Sequence, residues 1–338
     1  MSRTVLSATA AVALSLAAAC NDSGAPSVAP ASPSVTNLGL ASSPGELAGQ
    51  GELWLVAARE FDGGRDLDQD GDRFDRVVHV QDLASGTARN TGLALETRGL
   101  APILAVGAHL AIFAASEPGT GNSDLNGDGD ANDAVLYVFD RTTGSTNGLA
   151  QALSLLSLPS VEGDLVAFVV SEAAQGNTDL DGDGSSAGNV LHIYDAVRRE
   201  LVNTHLAVAS PVFLGDGRVA YFAAESTADL NGDGDALDRA VLQVFDPAGA
   251  TNANTGLATT GLAPLHAADA WLVSVSELDQ GADLNGDGDL ADLVQVVYDA
   301  RSGVTRVLGL ASGLPGGAIV STTPAGRERF GLLVPELG

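Results

Sequence analysis

The chain has no lysine. All 16 of its basic residues are arginine, against 43 acids, and the formal net charge is −27. So negative a surface excludes nucleic acid as a partner, because that binding rests on neutralising phosphates with basic side chains. Cysteine is almost missing as well. Cys20 is the only one, so no internal disulfide can form and stability has to come from packing and bound ions. Aromatic residues make up 4 %, so a core must be built from Val, Leu, Ile and Ala. No HExxH, P-loop or Rossmann glycine pattern occurs. Past the leader there is no run of helical period. With 45 % apolar residues in 338, wholesale disorder is excluded, and one large repeat domain or two ordinary ones can form.

Residues 1–19 read as a targeting segment rather than structure. Arg3 supplies the positive end, and Val5 to Ala19 is apolar but too short to span a bilayer comfortably. The stretch ends Leu16-Ala17-Ala18-Ala19-Cys20, which resembles a bacterial lipobox, with Ala17 where Leu is most usual. That resemblance implies lipidation of Cys20 and anchoring to a bacterial membrane, at its periplasmic face or the cell surface. The other reading is an ordinary signal peptide cleaved after Ala-x-Ala, with Cys20 incidental. Either implies export. Residues 20–34, rich in Ser, Ala and Pro, cannot bury apolar area and read as a tether. Residues 35–338 form the folded part.

What is abundant is a decapeptide, Asp124-Leu-Asn-Gly-Asp-Gly-Asp-Ala-Asn-Asp133, written five times. The copies start at 66, 124, 179, 229 and 283, at intervals of 58, 55, 50 and 54 residues. They hold 20 of the 43 acids, so the charge is concentrated, which points to cations as partners. An apolar run ending in Glu precedes each copy, as in Leu110–Glu117 and Trp271–Glu277, and another follows, as in Val135–Asp140. Both read as strands buried on two faces. A hairpin turn such as Asp140-Arg-Thr-Thr-Gly144 then leads into a fourth strand ending Gly-Leu-Ala, expected at Thr91–Ala94, Asn147–Ala150, Thr255–Ala258 and Leu308–Ala311. A first strand opens the next unit, as at Pro102–Val106.

Four antiparallel strands per unit with no intervening helix predict an all-β fold, a β-propeller. Val35–Ala41 looks like a fourth strand without a blade, and Gly317–Ser321 and Phe330–Glu336 like first and second strands without a loop. The two ends are therefore expected to share a sixth blade and close the ring. A five-bladed ring with a decorated end, or a truncated chain, is the alternative.

The units, exemplified by Pro211–Ala258, resemble TolB-type propeller repeats over about residues 36–336. The DxNxDGDxxD loop resembles the calcium loops of FG-GAP blades, dockerins and thrombospondin type 3 repeats. Two departures stand out. FG-GAP loops usually end one residue earlier, and EF-hand-like loops carry a bidentate Glu where this chain has Val135. EF-hand helices are not implied.

The loop chemistry suits Ca²⁺, which takes six to eight oxygens. Loop positions 1, 3, 5, 7 and 10 supply Asp66, Asp68, Asp70, Asp72 and Asp75; Asp124, Asn126, Asp128, Asp130 and Asp133; Asp229, Asn231, Asp233, Asp235 and Asp238; and Asp283, Asn285, Asp287, Asp289 and Asp292. The third copy keeps only Asp179, Asp181 and Asp183, with Ser185 and Gly188 in the last two places, and should bind weakest. Four to five ions are expected. Glu60, Glu117, Glu172, Glu225 and Glu277, at the preceding strand ends, are candidate capping ligands, or merely solvated. No His or Cys lies in the loops, which argues against Zn²⁺ and copper.

Signals for catalysis are weak. Gly184-Ser185-Ser186-Ala187-Gly188 matches GxSxG, but between two strands rather than at a strand-to-helix elbow. His79 and His192, equivalent third-strand residues, read as packing, and Trp54 and Trp271, equivalent second-strand residues, as core. The sequence therefore describes an exported, lipid-anchored, monomeric calcium-binding propeller that serves as a binding or scaffold module for an unknown protein or glycan. The alternatives are an extracellular propeller enzyme acting on glycans or esters, and a structural adhesin.

Overall fold

The computed structural model describes residues 10–14, 35–42, 46–98, 102–208, 210–215, 217–225, 228–259, 265–267, 270–311, 318–322 and 328–332. Cys20, the tether, Pro264, Gly317 and the last six residues lie outside them.

Five four-stranded antiparallel sheets follow one another along the chain, each in the order first-second-third-fourth. Sheet 1 is Leu47–Gln50, Leu53–Arg59, Arg76–Asp82 and Thr87–Ala94. Sheet 2 is Leu104–Val106, Leu110–Ser116, Ala134–Asp140 and Ser145–Ala152. Sheet 3 is Ser160–Glu162, Leu165–Ser171, Asn189–Asp195 and Glu200–Ala207. Sheet 4 is Ser210–Gly215, Arg218–Ala223, Val241–Asp246 and Thr251–Ala258. Sheet 5 is Leu265–Ala267, Ala270–Ser276, Leu293–Asp299 and Val304–Ala311.

Second and third strands are largely apolar because sheets 2, 3 and 4 are each covered on both faces. In sheet 2, Ala111, Phe113 and Ala115 pack with Leu53, Leu55 and Val78 of sheet 1. The alternating residues Leu110, Ile112 and Ala114 pack with Val166, Phe168 and Val170 of sheet 3. Period-two side chains thus serve two interfaces. The same hand-over joins sheet 3 to sheet 4 through Ala167, Leu191 and Tyr221, and sheet 4 to sheet 5 through Phe222, Leu242 and Trp271. Sheets stacked face to face in chain order make a β-propeller.

Fourth strands are longer than the sequence suggests, and sheet 3 has one, Glu200–Ala207, that the Gly-Leu-Ala pattern missed. They are mostly exposed, so apolar periodicity is faint there. A bulge recurs in each, allowed by positive φ at Gly92 (67°), Gly256 (67°) and His205 (57°).

Three expectations need correction. First, Glu60–Gly63 and Glu277–Gln280 are one-turn helices, too short to leave a period in the sequence, so the chain past the leader is not helix-free. Second, Trp54 is not core. No complete sheet precedes sheet 1, so Trp54 is half-buried; it packs over Gly49 and donates its indole N–H to Gly51 O at 3.1 Å, whereas Trp271 is buried. Third, among the described residues no strand pairing joins the two ends. Val35–Ala41 pairs with Ala10–Leu14, and Ala318–Thr322 with Glu328–Leu332, in separate two-stranded sheets. An edge of Val35–Ala41 is taken by Ala10–Leu14, which is strand where the sequence reads as a targeting segment rather than structure.

Candidate metal centres

Each acidic loop is organised by a residue outside it. Glu60, Glu117, Glu172 and Glu277 are fully buried, and Glu225 is 8 % exposed. They stand just past their second strands. Glu117 Oε1 accepts from the amides of Leu125 (2.7 Å) and Asn126 (3.3 Å), and Oε2 from that of Asp133 (2.9 Å). Glu172 takes Leu180, Asp181 and Gly188 in the same way. Glu225 takes Leu230, Asn231 and Asp238, and Glu277 takes Leu284, Asn285 and Asp292. Glu60 takes Leu67 and Asp75. One carboxylate therefore clamps both ends of every loop, and these bonds offset the cost of burying it.

Inside the loop, alternate side chains fold back on the backbone. Asp124 accepts from Gly127 N at 2.6 Å and Gly129 N at 3.1 Å. Asn126 then accepts from Asp128, Asp128 from Asp130, and Asp130 from Asn132, at 3.2, 3.0 and 2.9 Å. The first copy repeats this, with Gln69 at φ 68° where the others have glycine. So do the fourth and fifth. The third does too, with the Ser185 hydroxyl standing in for a carboxylate. Ser185 is thus a loop residue, far from a nucleophile elbow.

These folds bring the sequence-identified acids together. Ligand oxygens of Asp68, Asp70 and Asp75 lie within 4.8 Å of one another, as do those of Glu60, Asp66 and Asp68, and of Glu60, Asp72 and Asp75. Glu117, Asp130 and Asp133 form such a group, and so do Glu172, Asp179 and Asp181 in the degenerate copy. Burial, followed by the charges of Asp72, Asp68, Asp70 and Glu60, pushes the Asp75 carboxyl up to about 7. Burial, then Asp128, Glu117 and Asp130, does the same to Asp133, also to about 7. Asp68 and Asp238 rise to about 6, again mainly by burial. Oδ2 of Asp68 and of Asp128 is buried and accepts no hydrogen bond. Crowded oxygens with orphaned, buried lone pairs fit a hard cation.

Sequence reasoning missed the residues that fasten the loops. Asn90, Asn203 and Asn254 donate from the fourth strands to the carbonyls of Leu67, Leu180 and Leu230 at 2.6, 2.9 and 2.8 Å. The repeated Asn two places before Gly or His in these strands was the available signal. His79 and His192 are buried, each with Nδ1 near a third-strand carbonyl, and burial lowers His192 to about 4; they are packing residues, as expected. At the other end of the sheets, a cleft of about 620 Å³ between the hairpins of sheets 3 and 4 is lined by Leu165, Ile193, Phe245, Arg198 and Arg218; among the described residues that line it, none carries a hydroxyl, thiol or imidazole.

No protein-family model matches the chain, and no curated protein matches it in sequence. Among solved structures it is similar to TolB from Acinetobacter baumannii (10 % identity, TM-score 0.37, 89 % of this chain and 59 % of that one). It is also similar to BamB from Moraxella catarrhalis (13 %, 0.39, 85 % and 69 %) and to the β-propeller domain of the Trilobed protease from Pyrococcus furiosus (10 %, 0.39, 82 % and 73 %). The chain thus spans less than two thirds of the TolB structure. The class rests on the chain's own sheet order and packing: an all-β propeller with an acidic loop between the second and third strand of every complete sheet.

Proposed function

We propose that the chain is a calcium-binding propeller, exported and anchored through lipid on Cys20, that acts as a binding or scaffold module at the cell envelope. The observation that carries the calcium reading is the first loop. Asp68, Asp70 and Asp75 converge there, and Asp68 Oδ2 is buried without a donor. The same backbone fold recurs in the other four copies. Ca²⁺ suits an all-oxygen site of flexible loop residues better than Mg²⁺, which keeps its waters and demands an octahedron. When bound, the ion supplies the positive charge that these carboxylates lack. An ion there would close the connection between a second and a third strand, which favours architecture over turnover. Extracellular modules bind Ca²⁺ at roughly 10⁻⁴–10⁻³ M, and at 100 times Kd each site adds about 2.7 kcal/mol to stability. Calorimetric Ca²⁺ titration with parallel thermal melts tests this: four or five ions and a large Tm rise over EDTA are expected. No uptake and no shift would refute it. Mass spectrometry of the processed N-terminus tests the anchor.

A further inference from the structure

The acidic loops touch the neighbouring sheet. Ahead of each later loop runs a turn, and three of these turns lie against the loop before. A Cβ on Gly121 would sit 3.2 Å from Asp70 Cβ, one on Gly176 3.1 Å from Asp128 Cβ, and one on Gly281 3.1 Å from Asp233 Cβ. All three glycines have positive φ, 63°, 66° and 62°, so the backbone is both turned and stripped to let the loop in. Neighbouring side chains latch the turn to the preceding sheet. Thr120, Gln175 and Gln280 accept from the amides of Ala94, Ala152 and Ala258 at 3.1, 2.7 and 3.0 Å.

A main-chain oxygen enters the loop through this contact. Asn126 Nδ2 donates to Ala174 O of sheet 3's turn at 3.2 Å and to Asp133 Oδ2 of its own loop at 3.2 Å. Asn231 Nδ2 donates to Asp279 O of sheet 5's turn at 2.6 Å and to Asp238 Oδ2 at 2.5 Å. In both, a carbonyl from the next sheet and a carboxylate of the loop converge on a single donated amide. In the second loop, Asp128 Oδ2 is also buried without a donor. A cation in the place of those donated hydrogens meets the same acceptors, and a hard cation accepts carbonyl and carboxylate oxygens alike.

We propose that the ions of the second and fourth loops are held jointly by two sheets, with Ala174 O and Asp279 O as ligands from the neighbour. The proposal rests on the calcium reading above and adds the shared shell. Each such ion ties two sheets together, and filling one loop orders the turn that leads into the next. Ion binding is then coupled around the rim, where linkage between sites typically changes affinity about 5- to 150-fold.

The test is hydrogen exchange on the full chain, with the third loop disabled by Asp179→Ala, Asp181→Ala and Asp183→Ala. On adding Ca²⁺, amides 173–177 should exchange roughly tenfold more slowly, although their own sheet's loop binds nothing. Adding Asp124→Ala and Asp128→Ala in the second loop should abolish that protection. If amides 125–133 respond while 173–177 do not, the shared shell is wrong and the calcium reading stands. If no amide of the unmodified chain responds, both fail. A second variant reads affinity. Gly176→Val should weaken the second loop's Ca²⁺ at least about tenfold, whereas Gly303→Val, at φ 70° in open space on the opposite rim, should leave it unchanged. Wild-type affinity in Gly176→Val overturns the proposal.

Discussion

Glu117 carries more of its loop than any acid within the decapeptide does. Three amides from the two ends of the decapeptide finish on its carboxylate. Glu117→Ala strands those buried donors and should cost about 1–3 kcal/mol in chemical denaturation, while calorimetry finds one ion fewer. Protons compete for the same crowd of oxygens. Asp75 and Asp133 rise from 3.8 to about 7, so the folded chain keeps protons that the unfolded chain has released. The stability from those two groups is complete below the unfolded value and lost as pH rises through about 7. His192 works the other way: lowered from 6.5 to about 4, it contributes stability that is complete above 6.5 and lost as pH falls through about 4. In EDTA the Tm should therefore fall from about pH 4 to about 7, most steeply above about 6.5 where His192 no longer offsets it, and level off beyond. Asp75→Asn should flatten that fall, and saturating Ca²⁺ should remove it.

At the scale of elements, the second and third strands and the loops between them were legible because each obeys one strong local rule. The strands are buried on both faces and so read as apolar runs; the loops repeat oxygen donors around fixed glycines. The buried glutamates were visible at the strand ends, yet their work on loop amides was not, since backbone donors leave no mark in a sequence. Fourth strands were half-legible. Their outward residues are polar, as in Thr87–Ala94, and sheet 3 replaces the marker glycine with His205. Partner choice at the termini was illegible, because any apolar strand of the right length satisfies an open edge. The third loop shows its divergence in structure as well: a Cβ on Gly188 would lie 2.6 Å from Glu172 Oε2. Restoring both missing acids at once would displace the clamp. Ser185→Asp alone, already set on the Asp183 carboxylate through its amide at 2.7 Å, should tighten the loop's Ca²⁺ in titration, to a measurable heat where the parent gives little.

Across the whole molecule, charge is divided between two rims. The five loops and their clamping glutamates gather on one. The other carries hairpins where arginine answers acid, as in Arg141 with Asp82 and Glu52, Arg199 with Asp140, and Arg218 with Asp246. Ion-free chain should therefore be salt-sensitive, its Tm in EDTA rising with NaCl as screening weakens repulsion along the acidic rim, and nearly salt-insensitive once Ca²⁺ is bound. The strand Ala10–Leu14 adds a consequence of its own. Ala10 opposite Ala41 and Val12 opposite Asn37 reproduce the bulged register of Val77 with Ala94 and His79 with Asn90, so this strand occupies the seat of a third strand. Were the chain trimmed ahead of Cys20, as the proposed anchor requires, Val35–Ala41 would lose that partner and its edge would stand bare.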